Sequence, residues 1–203
     1  MAKIDLRKEL KHLYKASAKE PVLVEVPPMD FLMVDGAGDP NAAGGFQEAV
    51  EVLYAVADAL KSMLKLGKEA IDYTVMHLEG LWQTEDVNGF SFGDKGSWQW
   101  TMMIMQPRFV TADHVARALK RVGEKKNPLA LGNVRFEEFD EGLSAQILHV
   151  GPYDAELPTI LRLHKFIEES GYEPRGRHHE IYLGDPRRAA PEKLKTILRQ
   201  PIT

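Results

Sequence analysis

Apolar residues recur along this chain with two periods, and the switches between them mark out its elements. From residue 44 to 66, Phe46, Ala49, Val50, Leu53, Ala57, Leu60 and Leu64 fall on one stripe at helical spacing. Gly67 closes the stripe, which predicts a long amphipathic helix. A short helix is predicted over 5–15, with Leu6, Leu10, Leu13 and Tyr14 on one side. Another spans 111–122, capped by Thr111, with Val115, Ala118, Leu119 and Val122 inward. A fourth runs over 156–170, where Ile160, Leu163 and Ile167 recur and Gly171 supplies the stop. Alternating or short apolar runs bounded by Gly, Pro and Asp predict strands at 22–26, 30–34, 73–81, 97–106, 134–139, 143–150, 178–183 and 194–200. Pro27-Pro28 bends the chain between the first two strands, and Asp140-Glu141-Gly142 predicts a hairpin joining 134–139 to 143–150.

Reduced to elements, the chain repeats itself. Strand 31–34, helix, strand 73–81 and strand 97–106 correspond to strand 143–150, helix, strand 178–183 and strand 194–200. Both final strands end in Gln-Pro, at Gln106-Pro107 and Gln200-Pro201. The repeat predicts an α+β fold: one antiparallel sheet made from two pseudo-two-fold strand–helix–strand–strand halves, with both long helices on one face. A groove is then expected between the helices, floored by the central strands, and clefts of this kind are favoured small-molecule sites. The organisation is a single domain over 1–203: an N-terminal helix at 5–15, a first half at about 20–107, a linking helix at 111–126 and a second half at about 132–203. Lys125-Lys126-Asn127-Pro128 is the best linker.

Composition narrows the functional classes. A chain of 203 residues, 44% hydrophobic and 28% charged, suits one soluble globular unit. The net charge of -4 argues against nucleic acid as partner, since phosphate contacts need a basic surface. The basic run Arg117, Lys120, Arg121, Lys125, Lys126 reads as a solvated helix face. The polar N-terminus reads as no signal peptide, and no window is apolar enough for a bilayer. A cytoplasmic protein without a membrane partner is therefore expected. With no cysteine, disulfides, thiolate metal sites and cysteine nucleophiles are excluded. The turn Asp35-Gly36-Ala37-Gly38-Asp39-Pro40 lacks the third glycine of a dinucleotide loop, and no cofactor is expected.

The candidate chemistry centres on His178-His179-Glu180-Ile181-Tyr182-Leu183-Gly184-Asp185-Pro186. On a strand, Glu180 and Tyr182 share one face while His179 and Ile181 take the other. A carboxylate buried beside a ring needs compensation, and two readings stand. Either Glu180 is a functional charge in an apolar groove, or it is solvated or paired with Arg187 or Arg188. A metal site pairing His178 and Glu180 with His77, His149 or His164 rests on two alternate strand positions, which is weak, and no metal is expected. No Gly-x-Ser-x-Gly elbow is present, and Ala190-Pro191-Glu192 stands without the companions of a kinase motif. The polar loop 84–97 carries Phe90 and Phe92, which suit either a lid or ordinary packing.

Gly151-Pro152-Tyr153, the helix closed by Ser170-Gly171-Tyr172, then Glu180-Ile181-Tyr182, Asp185-Pro186 and Gln200-Pro201 together resemble the GyrI-like small-molecule-binding domains. That family includes stand-alone members and effector domains of multidrug-responsive transcription activators. The element order extends the resemblance to nearly the whole chain. The resemblance implies that Glu180 lies at the base of an aromatic pocket facing bulky, often cationic, aromatic ligands such as rhodamine-type dyes. Tyr182, Tyr153, Trp82, Trp98 and Trp100 are the candidate rings, with core packing the alternative for at least one tryptophan. Stacking and cation–π attraction would each add about 0.5–2 kcal/mol. Met102, Met103 and Met105 suit an adaptable pocket or plain core filling. Some stand-alone members hydrolyse the strained cyclopropane of DNA-alkylating natural products. In a hydrolase, Glu180 would be the base that activates water and Tyr153, or alternatively Tyr182, the acid.

Overall fold

The computed structural model describes residues 3–41, 44–83 and 95–203. Two short helical turns, α1 (Leu6–Glu9) and α2 (Lys11–Tyr14), precede strands β1 (Val22–Val26) and β2 (Met29–Ala37). The long helix α3 (Gly44–Leu66) leads to β3 (Leu78–Gln83) and β4 (Gln99–Gln106), and α4 (Ala112–Lys125) follows. Then come β5 (Arg135–Phe139), β6 (Gly142–Val150), α5 (Leu157–Glu169), β7 (His178–Tyr182) and β8 (Lys195–Pro201). The strands form one curled sheet in the order β1-β6-β8-β7-β3-β4-β2-β5, with every strand pairing antiparallel.

That order is the repeat expected from the sequence. Reading outward from the central β3–β7 pair, one half runs β3-β4-β2 and the other β7-β8-β6, and each half carries its long helix between its first two strands. Both helices pack on the same face. The buried stripe of α3 is Ala49, Val52, Leu53, Val56, Ala57, Leu60 and Leu64. That of α5 is Ile160, Leu163 and Ile167, set against Ala145, Ile147 and Leu198 of the sheet. The apolar period dictates this: a helix buries its stripe only against a sheet face that is itself apolar.

Three expectations are corrected. The hairpin through Asp140-Glu141-Gly142 does not form: β5 pairs with β2, while β6 pairs with β1. Each half thus receives its outer strand from the chain entering or leaving the other half, across Pro27-Pro28 and Asp140-Glu141. Glu141 is buried and fixed by ion pairs, so this corner is anchored inside the molecule, which an exposed hairpin tip is not. The N-terminal helix over 5–15 is broken at Leu10, whose φ -94 and ψ 37 leave the helical region. The strand at 73–81 begins only at Leu78; Tyr73 makes a single parallel bridge to Ile4. The expected aromatic loop falls mostly at 84–94, outside the described residues. Among the described residues, no helix is long and apolar enough to cross a membrane.

Candidate ligand-binding groove

Strand β7 lies at the centre of the sheet, and its period of two splits its side chains between two environments. Glu180 pairs across the ladder with Gly80 of β3 and Leu198 of β8. It therefore faces the helices, together with Tyr182 and Trp82. Gly80 is required here: a Cβ would come within 2.9 Å of Trp82 Nε1 and 3.0 Å of Tyr182 Oη. The absent side chain lets Tyr182 reach across β3, where its hydroxyl accepts from Trp82 Nε1 at 3.0 Å and donates to Glu180 Oε2 at 2.7 Å. Indole, phenol and carboxylate thus form a fixed relay on the groove floor.

Above that floor a cavity of about 1320 Å³ opens between α3 and the chain leading into α5. Glu180, Tyr182, Tyr153, Trp82 and Trp98, all singled out from the sequence, line it. Tyr153 meets Tyr182 edge to face at 5.6 Å, and Trp98 meets Trp82 likewise at 5.5 Å. Trp100 does not reach the cavity. Its indole lies across Gly36, where a Cβ would sit 2.1 Å from the ring, and it packs edge-on against Phe46 at 5.3 Å. Trp100 is thus the core tryptophan, behind the wall that Phe46 and Trp82 form by stacking at 6.0 Å.

The sequence reading missed Phe46, Tyr54 and Glu156 as groove residues. Phe46 fits the α3 stripe equally well as core, and Tyr54 lies beside that stripe. Glu156 reads as an acidic residue at a helix start, where carboxylates are common. Instead it is buried and lines the cavity together with Glu180. Burial pushes the carboxyl groups of both Glu156 and Glu180 upward, and Glu156 is raised further by the charge of Glu180. Burial also lifts the Tyr153 phenol, to about 12. His178 Nε2 lies 3.8 Å from Glu180 Oε1, but burial pushes its imidazole down to about 3, so it is neutral near pH 7. Arg187 and Arg188 pair with Asp185 at the groove mouth, not with Glu180. Among the described residues, no three His, Asp or Glu side chains are grouped to hold a metal ion.

The other face of β7 carries a separate, closed network. His179 lies between Glu141 at 2.8 Å and Glu79 at 2.9 Å. Arg199 binds Glu141 at 3.1 Å, the side chain of Gln146, and the carbonyl of Leu13 at 2.7 Å. Tyr14 donates to Glu79 at 2.9 Å, so the N-terminal segment is bound into the same network. Burial alone would lower His179, but Glu141 and Glu79 carry it up to about 9. Burial alone would raise Glu141, but His179 and Arg199 hold it at about 2.

The profile of the GyrI-like small-molecule-binding domain matches residues 19–202. This chain belongs to the GyrI-like family. An uncharacterized conserved protein from Listeria innocua has the same fold as this GyrI-like chain with a TM-score of 0.91 at 41% identity, over 99% of this chain and 100% of that one. Two structures described as hydrolases from Listeria innocua match at 40% identity and TM-score 0.89, over the whole of both chains, and at 38% and 0.87, over 99% and 100%. The C-terminal domain of EcmrR shares only the fold, at 12% identity and TM-score 0.56, over 91% of this chain and 97% of that one. A comparison with curated proteins returned no significant match.

Proposed function

We propose that this GyrI-like protein binds bulky, planar aromatic compounds in the groove, cationic ones above all. Glu180 is the charged contact, and Tyr182, Tyr153, Trp82 and Trp98 are the stacking surfaces. The observation that carries this reading is a buried carboxylate, unpaired with any Lys or Arg among the described residues, at the floor of a ring-walled cavity of about 1320 Å³. A delocalised cation loses little hydration on entering such a site, whereas a compact ammonium loses much, so the site selects for large flat ions. The same reading has the protein acting on its own in the cytoplasm, without nucleic acid or membrane, which the net charge of -4 supports.

A second reading uses the same pocket. The protein would be a hydrolase that opens the cyclopropane of DNA-alkylating natural products, for self-protection or detoxification. Two whole-chain relatives described as hydrolases, at 40% and 38% identity, favour it, as does a second carboxyl group beside Glu180. Glu180 would take a proton from the attacking water, and Tyr153 would donate to the oxygen that gains charge.

One variant separates the readings. Glu180→Gln keeps the shape and deletes the charge. A binder should lose about 2–5 kcal/mol of affinity for rhodamine 6G and much less for an uncharged dye of equal size. A hydrolase should keep its affinity for a neutral cyclopropane substrate while turnover falls by about 100-fold or more. Unchanged dye affinity and unchanged turnover together would show that the site is wrong.

A further inference from the structure

We propose that Glu156 and Glu180 act as one proton-sharing pair, so that taking a cation into the groove expels protons and solution pH selects between cationic and neutral ligands. This rests on the groove being the ligand site argued above, and it adds Glu156 as the residue that sets the selectivity.

The geometry is two buried carboxyl groups, carried by separate elements, that line the same cavity. Glu156 arrives from the residue preceding α5 and is 2% exposed; Glu180 arrives from the centre of β7 and is 8% exposed. Two ionised carboxylates in one buried site repel each other with no solvent to screen them, so a proton held by one relieves the pair. The surroundings keep that proton in place. From β7 itself, Tyr182 donates to Glu180, and His178 at 3.8 Å is neutral because burial pushes it down to about 3. The phenol of Tyr153, lifted to about 12, stays protonated. Tyr54 on α3 is likewise raised and uncharged. Through the sheet, His179 carries a charge already matched by Glu79 and Glu141, and at the mouth Asp185 holds Arg187 and Arg188. Among the described residues, no Lys or Arg lies within ion-pair distance of either carboxyl group, and the buried Glu156 Oε1 has no hydrogen-bond partner. The pair therefore holds protons that isolated carboxyl groups would have lost by neutral pH. An incoming cation supplies the missing positive charge, the ionised form becomes favourable, and the released proton goes to solvent. A neutral aromatic ligand deepens the desolvation and holds the protons in.

The test is calorimetric titration of the unaltered protein with rhodamine 6G, which carries a permanent charge, and with the uncharged dye Nile red. Each titration is run in phosphate and in Tris, whose ionisation enthalpies differ widely. Rhodamine 6G should release a substantial fraction of a proton per molecule bound at pH 7, and its affinity should rise about threefold or more between pH 6 and pH 8. Nile red should release none, and its affinity should fall or stay level over the same range. Glu156→Gln replaces the titrating partner with an amide and should abolish most of the proton release, flattening the pH dependence for rhodamine 6G. Tight rhodamine binding with no proton release and no pH dependence in the unaltered protein overturns the proposal, whether or not the variant folds. Full release retained in a folded Glu156→Gln protein also overturns it. Failure of both dyes to bind at every pH overturns the groove assignment itself, and this proposal with it.

Discussion

The two faces of β7 present adjacent residues, Glu180 and His179, to opposite electrostatic designs. On the His179 face every charge is matched: Glu79 and Glu141 against His179 and Arg199, with Tyr14, Gln146 and the Leu13 carbonyl taking the remaining bonds. On the Glu180 face two carboxyl groups line one large cavity, with no Lys or Arg paired to them among the described residues and with the buried Glu156 Oε1 unpartnered. Burial is comparable on both sides, so desolvation is not what separates them. The difference is compensation. A matched buried network holds the structure together, whereas an unmatched one stores a demand for positive charge that a ligand can meet.

The largest effect should come from unbalancing the matched face. Arg199→Met leaves two buried carboxylates, Glu79 and Glu141, against the single charge of His179 and should cost about 3–5 kcal/mol of stability, read as a lowered urea midpoint. A loss under about 1 kcal/mol would mean that the network is not what pins the N-terminal segment to the sheet.

The next effect is a pH dependence of stability. His179 rises from 6.5 to about 9 on folding, so its contribution is fully present below pH 6.5 and is lost as pH rises through 9. That contribution is about 3 kcal/mol. Glu141 falls from 4.5 to about 2, so its contribution is present above pH 4.5 and is lost as pH drops through 2. Urea unfolding of the Glu156→Gln, Glu180→Gln protein, whose groove carboxyl groups no longer titrate, should show a decline between pH 7 and pH 10. A flat profile through pH 10 would mean that His179 is not held in its charged form.

The smallest effect sharpens the contrast. Glu180→Gln removes a charge that the fold does not compensate, so at pH 8 it should leave stability unchanged or raise it by about 1 kcal/mol. If it instead destabilised the protein as strongly as Arg199→Met, the two faces would be doing the same job.

Much of this fold is legible in the chain because the relevant signals are local. The α3 stripe sets its ends at 44 and 66, Gly171 ends α5, and Glu180 and Tyr182 share a face because strand geometry allows nothing else. The failures lie where long-range pairing outranks a local pattern. Asp140-Glu141-Gly142 looks like a hairpin turn, yet β5 gains more by completing the β2 edge than by folding back on β6. Glu156 looks like a helix-start carboxylate. Its functional reading needs Glu180, which is remote in sequence and joins it only in lining the cavity. Trp98 and Trp100 look equivalent on alternate strand positions. Gly36 on a different strand is what lets the Trp100 ring lie flat and withdraw from the groove.

By itself, then, the sequence determined the element order, the repeat of strand–helix–strand–strand, the antiparallel class and the strand that carries the carboxylate. Those follow from side-chain periodicity and from the stops that Gly and Pro impose. Only the tertiary structure decided which outer strand joins which half, which tryptophan faces the cavity, and that Glu180 has a second carboxyl partner while His179 behind it is fully paired. Each of these depends on distances between residues far apart in the chain, and burial gives those distances their energy, because a charge costs little in water and a great deal where nothing answers it.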